Sequence, residues 1–179
     1  MSELVRLRPL AASDLDHIMG WVNDPAIVGN FAAFSGKAFT REEEKAYIDK
    51  LLASPSDRVF SVERVADGHY VGQVGIHQIH APSRVGRLAC IIAKRAEMGR
   101  GYGTGAIRLV LDWAFHEAKL HKVWLMCFKE NSRARAIYQR IGFIEEGTLR
   151  EEYLHAGVYH DMVRMSLLER EWRTQGGSS

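Results

Sequence analysis

Residues 97–106 read EMGRGYGTGA, with glycine at 99, 101, 103 and 105. Glycine loses the most backbone freedom on ordering, so such a run suits neither a helix nor a strand interior. Yet a helical stripe begins at its end. In GAIRLVLDWAFHEA, Ile107, Val110, Leu111, Ala114, Phe115 and Ala118 share one face. Small residues just ahead of a helix let the backbone approach an anion closely. The first helical amides lack partners, and the helix dipole favours negative charge there. Gly101-x-Gly103-x-x-Ala106 also fits a dinucleotide fingerprint letter for letter. That reading asks for glycines directly after a strand and an acidic residue about 20 positions on. Here residues 94–98 intervene, and the chain near position 121 reads LHKVWL. No Gly-Lys-Ser/Thr follows the glycines, which excludes a Walker A loop.

Upstream, GRLACIIA reads as a buried strand, and RVFSVERVADGHYVGQVGIHQIH as two alternating runs around the hairpin signal Asp67-Gly68. TREEEKAYIDKLLASP opens with the capping box Thr40/Glu43 and stops before Pro55, which predicts a helix. LVRLRPL alternates as a first strand. SDLDHIMGWVND is expected to be a short helix with Ser13 at its N-cap and Asp16 three residues later. Residues 29–39 have no period and read as a loop. Downstream, KVWLMCF is a short apolar strand, NSRARAIYQRIGF a helix stopped by Gly142, and FIEEGTLREEYL and YHDMVRMSLLERE two final strands. The order is β-α-α-β-β-β-α-β-α-β-β, so the fold class is α+β (mixed α/β), a mixed sheet with helices on its faces. Residues 1–172 form one domain, and 173–179 are expected to be a disordered tail.

With 179 residues, 46% of them hydrophobic and 26% charged, the chain can build a real core. A net charge of +2 does not suggest a nucleic-acid partner. No apolar run reaches the roughly 20 residues of a membrane span, and MSELVRLRPL lacks a signal-peptide core. Cys90 and Cys127 sit in apolar segments and read as free, buried thiols of a cytoplasmic protein. The eight histidines show no metal-site spacing, and no metal is expected. His77 and His80, three apart on a predicted strand, fall on opposite faces.

MGRGYGTGAIRLVLDWAF followed by VWLMCFKENSRARAIYQRIGF resembles the GNAT superfamily of acetyl-CoA-dependent N-acetyltransferases. Gly101 and Gly103 match the last two positions of its Gln/Arg-x-x-Gly-x-Gly/Ala signature, while Met98 departs from the first. Asn131, Tyr138 and Ile141-Gly142-Phe143 match its fourth helix. The tail from Glu146 to Glu171 looks like the RimJ/RimL branch of ribosomal-protein and spermidine acetyltransferases. The resemblance covers nearly the whole chain. It implies a GNAT fold: a mostly antiparallel seven-stranded sheet splayed between strands 4 and 5, with about four helices on both faces.

The resemblance also implies site roles. Met98, Gly99, Arg100, Gly101, Tyr102, Gly103 and Thr104 would cradle the pyrophosphate of acetyl-CoA. Ile92, Ala93 and Lys94 would pair with its pantetheine arm. Asn131 would add a hydrogen bond to that arm besides capping its helix, Ala134 would be the small residue beside it, and Arg140 would reach a phosphate. Tyr138 would be the general acid for the leaving thiolate; by spacing alone it is a core residue with Ala134, Ile137 and Ile141. The base is left unnamed. The family's strand-four Glu falls on Arg87 or Leu88, and Glu42, Glu43, Glu44, His77, Glu130, Glu151 and Glu152 are the other candidates. The acceptor would be a primary amine on a small molecule or peptide, bound between residues 29–39, the helix after Thr40 and the last two strands. An exposed edge strand there would suit a homodimer. The rival function is an acyl-CoA-binding regulator without turnover, for which the missing strand-four Glu speaks.

Overall fold

The computed structural model describes residues 4–29, 38–155 and 157–176. Seven strands form one sheet: β1 (Val5–Pro9), β2 (Arg58–Arg64), β3 (Tyr70–His80), β4 (Val85–Ile92), β5 (Lys122–Phe128), β6 (Ile144–His155) and β7 (Val158–Leu168). Six helices accompany them: α1 (Leu15–Met19), α2 (Pro25–Val28), α3 (Arg41–Ala53), α4 (Tyr102–Asp112), α5 (Ser132–Ile141) and α6 (Glu169–Thr174). The spatial order is β1-β2-β3-β4-β5-β7-β6, and only β4 and β5 run parallel. This is the GNAT fold, with more helices than the four or so expected.

Most elements start where the sequence places them. Thr40 accepts from the Glu43 amide and Glu43 answers at the Thr40 amide, which caps α3. Gly142 ends α5 at φ +114, a conformation an L side chain resists. Other elements differ. The segment around Ser13 opens as a 3₁₀ turn at Ala12, and the Ala11 amide is satisfied by the Asp14 carboxylate at 2.9 Å, so Ser13 is not the cap. Asp24 caps a short α2 with Pro25 at its first position, where the missing amide costs nothing. The stripe beginning at Ile107 continues past α4 through a π-helical turn, Trp113–Glu117. The end of the last expected strand coils into α6, which passes residue 172 and reaches Thr174.

The sheet's two faces carry separate cores. On one, α4 packs Ala106, Ile107, Val110 and Leu111 against Val74, Ile76 and Leu88. Full burial of each large aliphatic contributes about 1.5–3 kcal/mol. On the other, α1, α2 and α3 pack Ile18, Trp21, Ile27 and Ile48 near Val59 and Ile91. Asp14 is 2% exposed and receives hydrogen bonds from Ser61 Oγ and the Arg8 guanidinium. Burial pushes its carboxyl up, but those donors outweigh burial and hold it below the usual carboxylate range. Among the described residues no helix is long and apolar enough to cross a membrane.

Candidate active site

The opening in the sheet has a local cause. β4 and β5 pair only from Val85 with Lys122 to Arg87 with Trp124. Beyond that, β4 stays with β3 as far as Ile92 and β5 stays with β7 as far as Phe128, so the two strands diverge. Their facing edges keep main-chain donors and acceptors that a ligand can pair with. The Ala93 amide is spent on the Val71 carbonyl at 2.9 Å. Alternation along β4 turns the amide of Ile92, its last residue, away from β3 and toward the gap. Of the three expected main-chain partners, Ala93 thus has its amide taken up within the sheet.

At the glycine stretch the four glycines have different reasons. Gly99 and Gly101 adopt φ +83 and +89, which lets the loop turn its amides outward ahead of α4. Gly105 lies where a Cβ would come 3.1 Å from Val5, a tight contact that lets α4 pack closely on β1. At Gly103 a Cβ would meet only Ile92, at 3.6 Å, an ordinary contact. The Arg100 guanidinium bonds back to the Ala96 carbonyl at the rim. Tyr102 turns into the core, leaving its main chain at the helix start, and Thr104 is half-buried. Met98 packs under α1–α3. Sequence reasoning missed Arg133, whose guanidinium stands beside Gly99. Arg140 bonds to Ala136 within its own helix. A loop of outward amides flanked by arginines fits a pyrophosphate.

Asn131 caps α5, its Oδ1 accepting from the Ala134 amide at 3.0 Å, which leaves the side-chain NH₂ for another partner. Ala134 and Tyr138 pack against the core, and Tyr138 stands edge-on to Phe143 with ring centroids 5.9 Å apart. Tyr138 also lines the cavity that opens between β4 and β5, so it both packs and reaches that space. Burial, with Cys90 and Cys127 nearby, pushes its phenol well above the ordinary range. It keeps its proton at neutral pH. The same burial pushes Cys90 to about 12 and Cys127 to about 11, and neither thiol is a nucleophile there.

The opening leads into a cavity of about 360 Å³ beneath α1 and α3. Its floor exists because the facing pair Gly75 and Ala89 is small, between the larger pairs Gln73/Ile91 and His77/Arg87. Most of the wall is apolar: Leu10, Ile18, Trp21, Ile48, Leu51 and Val59. Its polar groups are few. Glu44 is 5% exposed, and no described residue offers it a hydrogen bond or an ion pair. Burial pushes its carboxyl up, with Glu43 adding to the effect. Arg87 Nε and Gln73 Nε2 are buried without partners among the described residues. His77 joins the wall and pairs with Asp57.

The cavity thus selects among the candidate bases. Glu44 and His77 line it; Glu42, Glu43, Glu130, Glu151 and Glu152 do not, and Glu130 borders a second, shallower pocket with Asn131, His155 and His160. Residues 30–37 of the expected acceptor loop lie outside the described residues. Tyr153 and Met162 bring β6 and β7 to the wall, as expected of the last two strands.

Comparison with known proteins adds the following. The Acetyltransferase (GNAT) domain family matches residues 5–144. The spermidine N(1)-acetyltransferase of Escherichia coli K12 is 31% identical over 168 residues, 94% of this chain and 88% of that protein. A putative ribosomal N-acetyltransferase of Bacillus subtilis is 38% identical over 106 residues, 59% of this chain and 57% of that one. Among solved structures, the spermidine N-acetyltransferase of Vibrio cholerae in complex with CoA and spermine superposes with a TM-score of 0.88 at 28% identity, covering 95% of this chain and 98% of that one.

Proposed function

This chain belongs to the GNAT acetyltransferase family, and from that premise we propose that the amine it acetylates is a polyamine of the spermidine type. The chemistry is N-acetylation and acetyl-CoA is the co-substrate. The observation that carries the acceptor is Glu44: a buried carboxylate with no partner among the described residues, set in a cavity whose wall is mostly apolar. A polyamine offers ammonium groups joined by methylenes, which match that wall in charge and polarity. The relatives along nearly the whole chain support the same acceptor.

The thioester supplies the acyl group; this chain's residues hold and orient it. The amides around Gly99 and Gly101 with Arg133 hold the pyrophosphate, and the main chain at Ile92 and Lys94 pairs with the arm. Tyr138, protonated and lining the gap, gives its proton to the departing sulfur. No described cavity residue need act as a covalent nucleophile, because alignment of two bound substrates suffices for direct attack.

The RimJ/RimL-like tail and the putative ribosomal relative favour a second acceptor, a protein N-terminus. Thiol release from acetyl-CoA separates the two, measured with spermidine, with Ser- and Ala-initiated peptides, and with a protein-only blank for Cys90 and Cys127. Turnover on spermidine at least tenfold above the peptides supports the polyamine. The reverse order selects the N-terminus. Acetyl-CoA binding with no thiol release on any amine would favour the regulator instead.

A further inference from the structure

An amine enters neutral solution as an ammonium, with a pKa near ~10, and cannot attack until a proton leaves. β4 offers no group for that step: Arg87 is a cation and Leu88 is buried against α4. The adjoining strand does. His77 stands directly across from Arg87 in the β3–β4 ladder, on the cavity side of the sheet. Its Nδ1 lies 2.9 Å from Asp57 Oδ1.

Asp57 is fixed by more than His77. Ser54 Oγ donates to its Oδ2 at 2.5 Å, Ser56 Oγ adds a longer bond at 3.3 Å, and the Gln78 amide approaches Oδ1 at 3.4 Å. Burial pushes the Asp57 carboxyl up, but Ser54 and His77 outweigh burial and leave it ionised. An ionised carboxylate only accepts hydrogen bonds, so Nδ1 carries the proton and Nε2 holds the lone pair of a neutral ring. Immediately after His77 the strand bulges. Gln78 takes φ +52, and the register slips by one residue before His80 pairs with Val85. Such bulges re-aim side chains beside functional sites. The bulge also ends the simple alternation that would set His77 and His80 on opposite faces.

We propose that His77, oriented by Asp57, is the group that accepts the proton from the acceptor amine, directly or through one water, in place of a carboxylate on β4. The inference rests on the acetyl-transfer reading and does not depend on which amine is the acceptor. The proton balance closes with groups on hand. The ammonium gives one proton to Nε2. The neutral nitrogen forms its bond to the acetyl carbon as the carbon–sulfur bond breaks. Tyr138 protonates sulfur and regains a proton from the new amide nitrogen, and His77 releases its own to solvent. Asp57 acts as a positioning residue.

The charged and titratable groups around His77 are Asp57 before β2, Arg87 on β4, and Glu44 and Tyr47 on α3, with Tyr138 across the gap. Burial is the main cause holding the imidazole below its ordinary value. Asp57 opposes that and Arg87 reinforces it. The ring is therefore neutral at pH 7, as a proton acceptor must be, and gains its charge only as the pH falls below the ordinary histidine range.

The test is the pH profile of kcat/KM by thiol release, from about pH 5 to 10, for wild type, His77→Gln and Asp57→Asn. It uses whichever amine the wild type acetylates, with acetyl-CoA affinity as the check on folding. In the wild type kcat/KM falls on the acid side as His77 charges. His77→Gln lowers kcat/KM about 10²-fold near pH 7 with acetyl-CoA affinity kept. Its rate then climbs about tenfold per pH unit toward the amine's own pKa, because free amine replaces the lost acceptor. Asp57→Asn, which can donate to Nδ1 and so favours the other tautomer, loses much of the same rate while keeping the histidine. A His77→Gln profile parallel to wild type at every pH, or unchanged at pH 7, overturns the proposal. A wrong acceptor changes which amine is used; a wrong base changes only the slope of the variant's profile.

Discussion

The two faces of β3 and β4 are built from alternate residues of the same strands and could hardly differ more. Toward α4 lie Val74, Ile76 and Leu88, closed over by Ile107, Val110 and Leu111. Toward α3 lie Gln73, Gly75, His77, Arg87 and Ala89, and a cavity. A sheet buried on both sides usually carries apolar residues on both. Here one side is packed tightly enough that the other holds unpartnered polar atoms and empty volume. The dry face supplies stability, and the wet face uses some of it.

Five substitutions would break or sharpen that contrast. Leu111→Ala on the dry face should cost about 2–5 kcal/mol by leaving a cavity, seen as a lower denaturation midpoint, with the pH profile of turnover unchanged. Tyr138→Phe, at the gap between the faces, should lower kcat by about 10²-fold while acetyl-CoA affinity and Tm stay near wild type. Full turnover in that variant would remove the acid role. The glycine loop divides in the same way. Gly101→Ala must adopt φ +89 and should lose about 1–2 kcal/mol together with acetyl-CoA affinity. Gly103→Ala has room for its Cβ and should gain helix stability of up to about 1 kcal/mol. If the loop holds pyrophosphate, Gly103→Ala still binds acetyl-CoA more weakly, and calorimetry would separate the two effects.

The smallest effect belongs to the cavity. Glu44 has its folded pKa raised above the unfolded value. The stability it lends when protonated is complete below the ordinary carboxylate pKa and lost as pH rises through the higher folded one. Glu44→Gln should therefore raise Tm at neutral pH, seen by thermal denaturation. The gain should vanish as pH falls below about 4. The same change should raise KM for a cationic amine. A variant that gains stability and loses acceptor affinity would mark Glu44 as a residue kept for binding rather than for folding.

Much of this was legible in the chain. Thr40 and Glu43 announce α3, Asp67-Gly68 announces the β2–β3 turn, and Asn131 and Gly142 bracket α5. These are local rules: a cap or a turn needs only residues within reach along the chain. The same holds for the glycine loop and the stripe of α4. Other features were not legible. The burial of Asp14 is one: Ser61, which donates to it, lies 47 residues away in the chain. The cap at Ser13 failed because the helical turn starts earlier, at Ala12, where the Asp14 carboxylate accepts from the Ala11 amide.

The sequence by itself determined most of the elements, their order, the glycine loop and the family resemblance, because each rests on residue patterns that are local in the chain. Only the tertiary structure decided which of many acids and histidines meet. Glu44 and Arg87 enter one cavity from different elements, and Asp57 meets His77 across 20 residues of chain. A carboxylate or an imidazole takes its chemistry from its burial and its neighbours, and both are set by contacts between segments distant in the chain.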